Sequence, residues 1–203
     1  MSRRQVEPHS PDDDPWRHLK GSVAKARHEL NAGRLVDELR AQRPEALDEL
    51  LAAFGAEIEG VAYLILHSRS DAEEVVIDTA MTAWDKAATL RDASALRAWL
   101  LRVAARHALQ RVRRARGIDP LPLLPTFQAA SATGGADVLS DRLSLTAAVS
   151  DLPPRMRAAV ALHYFSDLTI DDVAAALGSS RNTVKTELRL ALRRLRVAMD
   201  ANR

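Results

Sequence analysis

The chain has 203 residues, a net charge of +2, 47% hydrophobic residues, and only 8 Gly and 9 Pro, which suits one globular domain or two small ones rich in helix. With no Cys, disulfides, cysteine-bearing zinc or iron–sulfur sites and thiol nucleophiles are excluded. The six His are scattered, no Gly-rich phosphate loop, Ser-centred elbow or paired catalytic carboxylates appear, and no early apolar run resembles a signal peptide or spanning helix. These features predict a reduced, cytoplasmic, non-enzymatic protein with no cofactor, no metal and no membrane insertion.

The modest net charge conceals a segregation. From Pro44 to Leu100 acids outnumber bases, whereas from Arg102 to Arg116 there are six Arg and no acid. An acidic surface beside separate basic ones suggests a chain that meets a basic partner with one part and a polyanion with others.

Residues 1–15 hold Pro8, Pro11, Pro15 and the run Asp12, Asp13, Asp14, a composition that predicts a disordered tail. Residues 16–43 can form one or two short helices with a break at Gly33, and carry no assigned role. Within 44–116 three helices follow. Leu47, Leu50, Leu51, Phe54, Ile58, Val61 and Ile65 recur at three- and four-residue steps. Asp71 with Glu74 reads as the cap of a second helix to about Ala88, with Val75, Val76, Ala80, Ala83 and Trp84 inward. After a polar connection, Thr89 to Ser94, a third helix spans about Ala95 to Arg116, packing through Leu96, Trp99, Leu100, Val103, Ala104 and Ala108. Three such helices can enclose one core.

Residues 117–139 hold three Pro and two adjacent Gly with no sustained period, which predicts a flexible linker with a span on the order of 25 Å. Within 140–203, helices are expected over about Ser140 to Val149 and Pro154 to Phe165, with Pro153 and Pro154 suiting a helix start. Thr169 with Asp172 is a capping signal. Ile170, Val173, Ala174 and Leu177 then keep helical spacing, and Gly178, Ser179 and Ser180 make a stop and a fresh start. This is a helix-turn-helix. On its second helix Val184, Leu188, Ala191 and Leu195 fall within about 60° of one another, while Asn182, Lys185, Arg189, Arg193 and Arg196 share another sector. A charged row alone is usually a solvated face; joined to a cap, a tight break and a short connection, it reads as a helix that enters a DNA major groove. The fold expected is all-α: two small helical bundles joined by a flexible linker, the C-terminal one containing the helix-turn-helix.

Residues 71–84, DAEEVVIDTAMTAW, followed by residues 96–114, LRAWLLRVAARHALQRVRR, resemble the second conserved domain of extracytoplasmic-function (ECF) sigma factors of bacterial RNA polymerase. Residues 152–196 resemble their fourth domain. The resemblance implies a sigma factor that binds polymerase core and directs initiation at promoters. Glu73, Glu74, Asp78 and Asp85 would face the clamp helices of the largest subunit, and the C-terminal module would meet the flap of the second-largest. Arg91, Trp99, Arg102, Arg106 and Arg113 would meet the −10 element, where a base leaves the stack of the opened strand; by its spacing alone Trp99 reads first as a packing residue and only otherwise as a stacking platform. Arg181, Asn182, Lys185, Thr186 and Arg189 would meet the −35 element, Lys185 and Arg189 at guanine edges or phosphates and Asn182 at adenine. An anti-sigma factor is a further possible partner. Ile77, Asp78, Met81, Arg106, Gln110, Glu187 and Leu190 depart from residues common in the family. The competing readings are a dimeric helix-turn-helix regulator that acts without polymerase, and a degenerate sigma-like protein that titrates an anti-sigma factor.

Overall fold

A computed structural model describes residues 32–90, 92–115, 145 and 147–201. The tail, the linker and Arg91 lie outside the described residues, as does most of the helix expected from Ser140. Among the described residues all regular structure is helical. In chain order the elements are α1 (32–40), α2 (Glu45–Leu66), α3 (Arg69–Lys86), two 3₁₀ turns (Ala87–Thr89 and Ala93–Ala95), α4 (Leu96–Ala115), α5 (147–150), α6 (Pro154–Val160) running into a π turn (Ala161–Phe165), α7 (Ile170–Leu177) and α8 (Arg181–Ala201).

The N-terminal bundle has four helices rather than the expected three. Gly33 does not break the chain: it lies within α1, whose Ala32, Leu35, Val36 and Leu39 are buried. Burial of those side chains outweighs the cost of about 1 kcal/mol for Gly inside a helix. Arg40 bonds the Leu90 carbonyl, and the Gln42 side chain donates to Trp84 O at 3.0 Å, so the end of α1 and the turn after it are tied to the last turn of α3 and to the loop beyond. The cap of α3 also differs from expectation. Ser68, not Asp71, precedes the helix, and its hydroxyl accepts from the Asp71 N–H at 3.3 Å; Ser is as good an N-cap as Asp, and the helix starts three residues earlier than Asp71 signals.

The C-terminal module follows its punctuation closely. Pro153 caps and Pro154 opens α6, where a missing N–H costs nothing. Thr169 accepts from the Asp172 N–H at 3.1 Å. Gly178 ends α7 in the left-handed region at φ 57°, and Ser180 accepts from the Thr183 N–H at 3.1 Å to start α8. The helix expected through Phe165 is instead α-helical to Val160 and π-helical beyond, closed by Ser166 N–H to Ala161 O at 3.1 Å.

The two modules pack against each other. α6 lies on α2 and α4, and α7 lies on α4. One continuous cluster of buried residues runs from Ala32 to Leu195. Besides the inward residues expected of α4, Leu101 and Ala105 are buried, giving that helix a second apolar sector.

Candidate nucleic-acid and polymerase interface

α8 presents the division its sequence predicts. Val184, Leu188, Ala191 and Leu195 are buried, while Arg181, Asn182, Lys185, Thr186, Arg189, Arg193 and Arg196 are exposed. Arg181 pairs with Asp171 of α7 at 2.9 Å, both well exposed, an attachment weak enough to exchange for a phosphate. Glu187, which departs from the family pattern, does not join this face. It is 16% exposed and accepts from Arg155 Nε at 2.9 Å, and Arg155 also donates to Leu177 O at 3.0 Å. Arg155 thus fastens α6, the end of α7 and α8 together, fixing the angle between the helices of the motif.

The basic face of α4 is engaged. Arg97 pairs with Glu57 and donates to Ser166 O at 2.8 Å. Arg102 pairs with Asp172 of α7 at 2.9 Å, and Arg106 donates to Ala176 O at 3.2 Å and Ala175 O at 2.7 Å. Arg113, on the same stripe but beyond α7, is exposed and makes no ion pair among the described residues. Trp99 is half-buried against the core, walling an apolar void of about 10 Å³ with Val36, Leu39 and Leu96 among others, so packing holds its ring. In the loop beside Arg91, Asp92 caps the second 3₁₀ turn. Hydrogen bonds from the Ser94 hydroxyl and N–H hold its carboxyl below the ordinary value.

On α3 the four carboxylates are not equivalent. Glu73 pairs with Arg69 at 3.2 Å. Glu74 and Asp78 share Arg111 of α4, at 2.5 and 2.6 Å, and the Asp78 hydrogen bond is the main reason that guanidinium is held above its ordinary value. Asp85 has no ion-pair partner among the described residues. Behind this pair Thr82 contacts His107 Nε2 at 3.1 Å, and burial pushes that imidazole below its ordinary value. Between the carboxylates Ile77 and Met81, one helical turn apart, are 55% and 49% exposed, an apolar strip bordered by acids. The sequence reading marked both positions as departures without anticipating their exposure. It also missed Arg97, Arg111 and Arg155, whose partners lie far along the chain. Among the described residues no cluster of His, Cys, Asp or Glu could hold a metal ion, and no helix is long and apolar enough to cross a membrane.

A strip of acids and apolar side chains, a second face of arginines and an exposed basic recognition helix define a class of protein that joins a protein partner to DNA. Residues 50–118 match the family model described as Sigma-70 region 2, and residues 142–195 match Sigma-70, region 4. The ECF RNA polymerase sigma factor RpoE of Cereibacter sphaeroides is 31% identical over 171 residues, 82% of this chain and 93% of that one. SigM of Mycobacterium tuberculosis, also an ECF RNA polymerase sigma factor, is 28% identical over 169 residues, 83% and 85%. Among solved structures, the sigma factor RpoE in complex with the anti-sigma factor NepR from Bartonella quintana aligns with a TM-score of 0.63 at 27% identity, covering 77% of this chain and 97% of that one. CnrH in complex with the cytosolic domain of CnrY shares the fold at a TM-score of 0.59, 21% identity, 87% and 99% coverage. The chain belongs to the ECF RNA polymerase sigma factors.

Proposed function

We propose that this sigma factor divides its work among three surfaces of residues 44–116 and 140–203. The α3 strip docks on the clamp helices of polymerase core, Ile77 and Met81 supplying apolar contact and Glu73, Glu74, Asp78 and Asp85 charge complementarity. The α4 face, with Arg91 and Trp99 beside it, receives the opened −10 strand: Arg102, Arg106 and Arg113 track phosphates and stacking captures the extruded base. α8 reads the −35 duplex through Arg181, Asn182, Lys185, Thr186 and Arg189, and its module also meets the polymerase flap. The chain performs no covalent chemistry. It works in the cytoplasm beside polymerase, and an anti-sigma factor is a partner of the kind that holds the Bartonella quintana relative.

The observation that carries this reading is the exposed basic face of α8 opposite a buried one, on a chain whose α3 leaves Ile77 and Met81 in solvent. Run-off transcription with core polymerase and a genomic promoter library tests it. Specific starts that need both modules are expected. Duplex binding without polymerase-dependent starts would instead make the chain a stand-alone regulator, and core or anti-sigma binding without starts would make it a decoy.

A further inference from the structure

The arginines that the proposed function gives to the opened strand are already occupied by acceptors that resemble a phosphate backbone. Arg102 meets the Asp172 carboxylate, and Arg106 forks onto the carbonyls of Ala175 and Ala176. Those carbonyls belong to the last turn of α7, where the chain turns away at Gly178. Helix C-terminal carbonyls lack intrahelical partners and carry the negative end of the helix dipole, so a guanidinium there is a favourable cap. Leu101 and Ala105, next to them along α4, are buried, and α7 packs along α4, so the two arginines border an apolar interface.

The polar part of the contact is weak enough to exchange, and it is this part, not the buried core joining α6 to α2 and α4, that the variants below remove. The Arg102 and Asp172 side chains are 23% and 27% exposed, and partly solvated pairs of this kind contribute about 1 kcal/mol or less. The recognition face of α8, by contrast, stays exposed in the same arrangement.

We propose that this contact is an intramolecular latch: in the free chain α7 covers the Arg102 and Arg106 face of α4, and single-stranded DNA must displace it, while duplex DNA reaches α8 with the latch shut. The inference rests on the proposed function for what those arginines bind once released; the closure itself does not. It also gives Arg106, a departure from the family, a task, and it orders the events. Duplex engagement through α8 needs no opening, whereas strand capture does, so single-strand affinity is lowered by the fraction of chains that are closed.

The chain has no Cys, so Ala52→Cys on α2 and Val197→Cys on α8, both exposed, allow a donor and acceptor pair to report separation in the full chain. Binding is read by anisotropy with a mixed-sequence single-stranded 20-mer and with the same sequence as duplex. Asp172→Asn keeps an oxygen for the Thr169 hydroxyl and removes the charge. It is expected to lower energy transfer and to tighten single-strand binding roughly fivefold, with duplex binding unchanged. Arg106→Gln removes the guanidinium from the C-terminal carbonyls of α7 and leaves the Thr169 N-cap in place; it should lower transfer too, but weaken single-strand binding. Unchanged transfer in both variants overturns the latch. Lower transfer in Asp172→Asn with unaltered single-strand affinity overturns the shared face. A chain that opens and tightens as described yet supports no polymerase-dependent start leaves the latch standing and removes the proposed function instead.

Discussion

Acid should loosen the junction between the modules through one imidazole. His67 ends α2 in the left-handed region at φ 56°, its N–H donating to Tyr63 O at 2.8 Å. Its ring lies 6.2 Å from that of Tyr63 and close to Asp151 and Arg157 of the second module, and its Nε2 is buried without a hydrogen-bond partner. Burial, reinforced by the Arg157 charge and opposed by Asp151, pushes the imidazole down to about 4 from 6.5. A depressed histidine favours the packed state fully only above pH 6.5, and the benefit is lost as pH falls toward 4. At pH 7 the effect is near zero; at pH 5 linkage gives about 2 kcal/mol, and partial exposure of the ring brings this to about 1–2 kcal/mol. Urea unfolding at pH 7 and pH 5 measures it against His67→Asn, since Asn tolerates the left-handed backbone and cannot titrate. The carboxylates shared by both chains cancel in the difference. A His67 NMR titration near 6.5, or a variant that loses as much stability at pH 5 as the parent, would refute the reasoning.

Other expectations concern the recognition and docking faces. Lys185→Ala and Arg189→Ala should each weaken binding of a run-off-selected −35 duplex by about 1–3 kcal/mol while association with core polymerase is unchanged; loss of core binding would contradict the division of labour. Gly178→Ala meets nothing within 4 Å of the added Cβ, so only the left-handed backbone is penalised, by about 1–2 kcal/mol in chemical denaturation. Arg155→Ala strands the Glu187 carboxylate and should cost about 2 kcal/mol, most of it recovered by adding Glu187→Leu. Ile77→Lys with Met81→Lys should lower core-polymerase affinity at least about tenfold in a binding titration, with stability within about 0.5 kcal/mol, because both side chains already face solvent.

What could be read ahead of the structure was whatever depends on near neighbours. Thr169, Gly178 and Ser180 act on groups within four residues, and the split of α8 into buried and exposed sectors follows from a 3.6-residue period. Short helices were expected over 16–43, but the place of α1 in the core and its passage through Gly33 were not, because its apolar residues are few and the pull of the core is not written locally. The engagement of Arg102 and Arg106 was invisible for a different reason: their acceptors lie some 70 residues away, and two of the three are backbone carbonyls, which no residue type advertises. Glu187 illustrates the same limit, since its partner Arg155 sits on another helix.

The π turn at Ala161–Phe165 inserts one residue beyond α-helical register, and such a bulge offsets everything downstream by about 100° of rotation and 1.5 Å of rise. Deleting one residue there would let α6 continue as an ordinary helix and swing the Ser166 carbonyl out of reach of Arg97. The motif beyond would keep its own shape yet leave α6 along a different bearing, so the angle at which α8 departs from the shared core is set by that single surplus peptide.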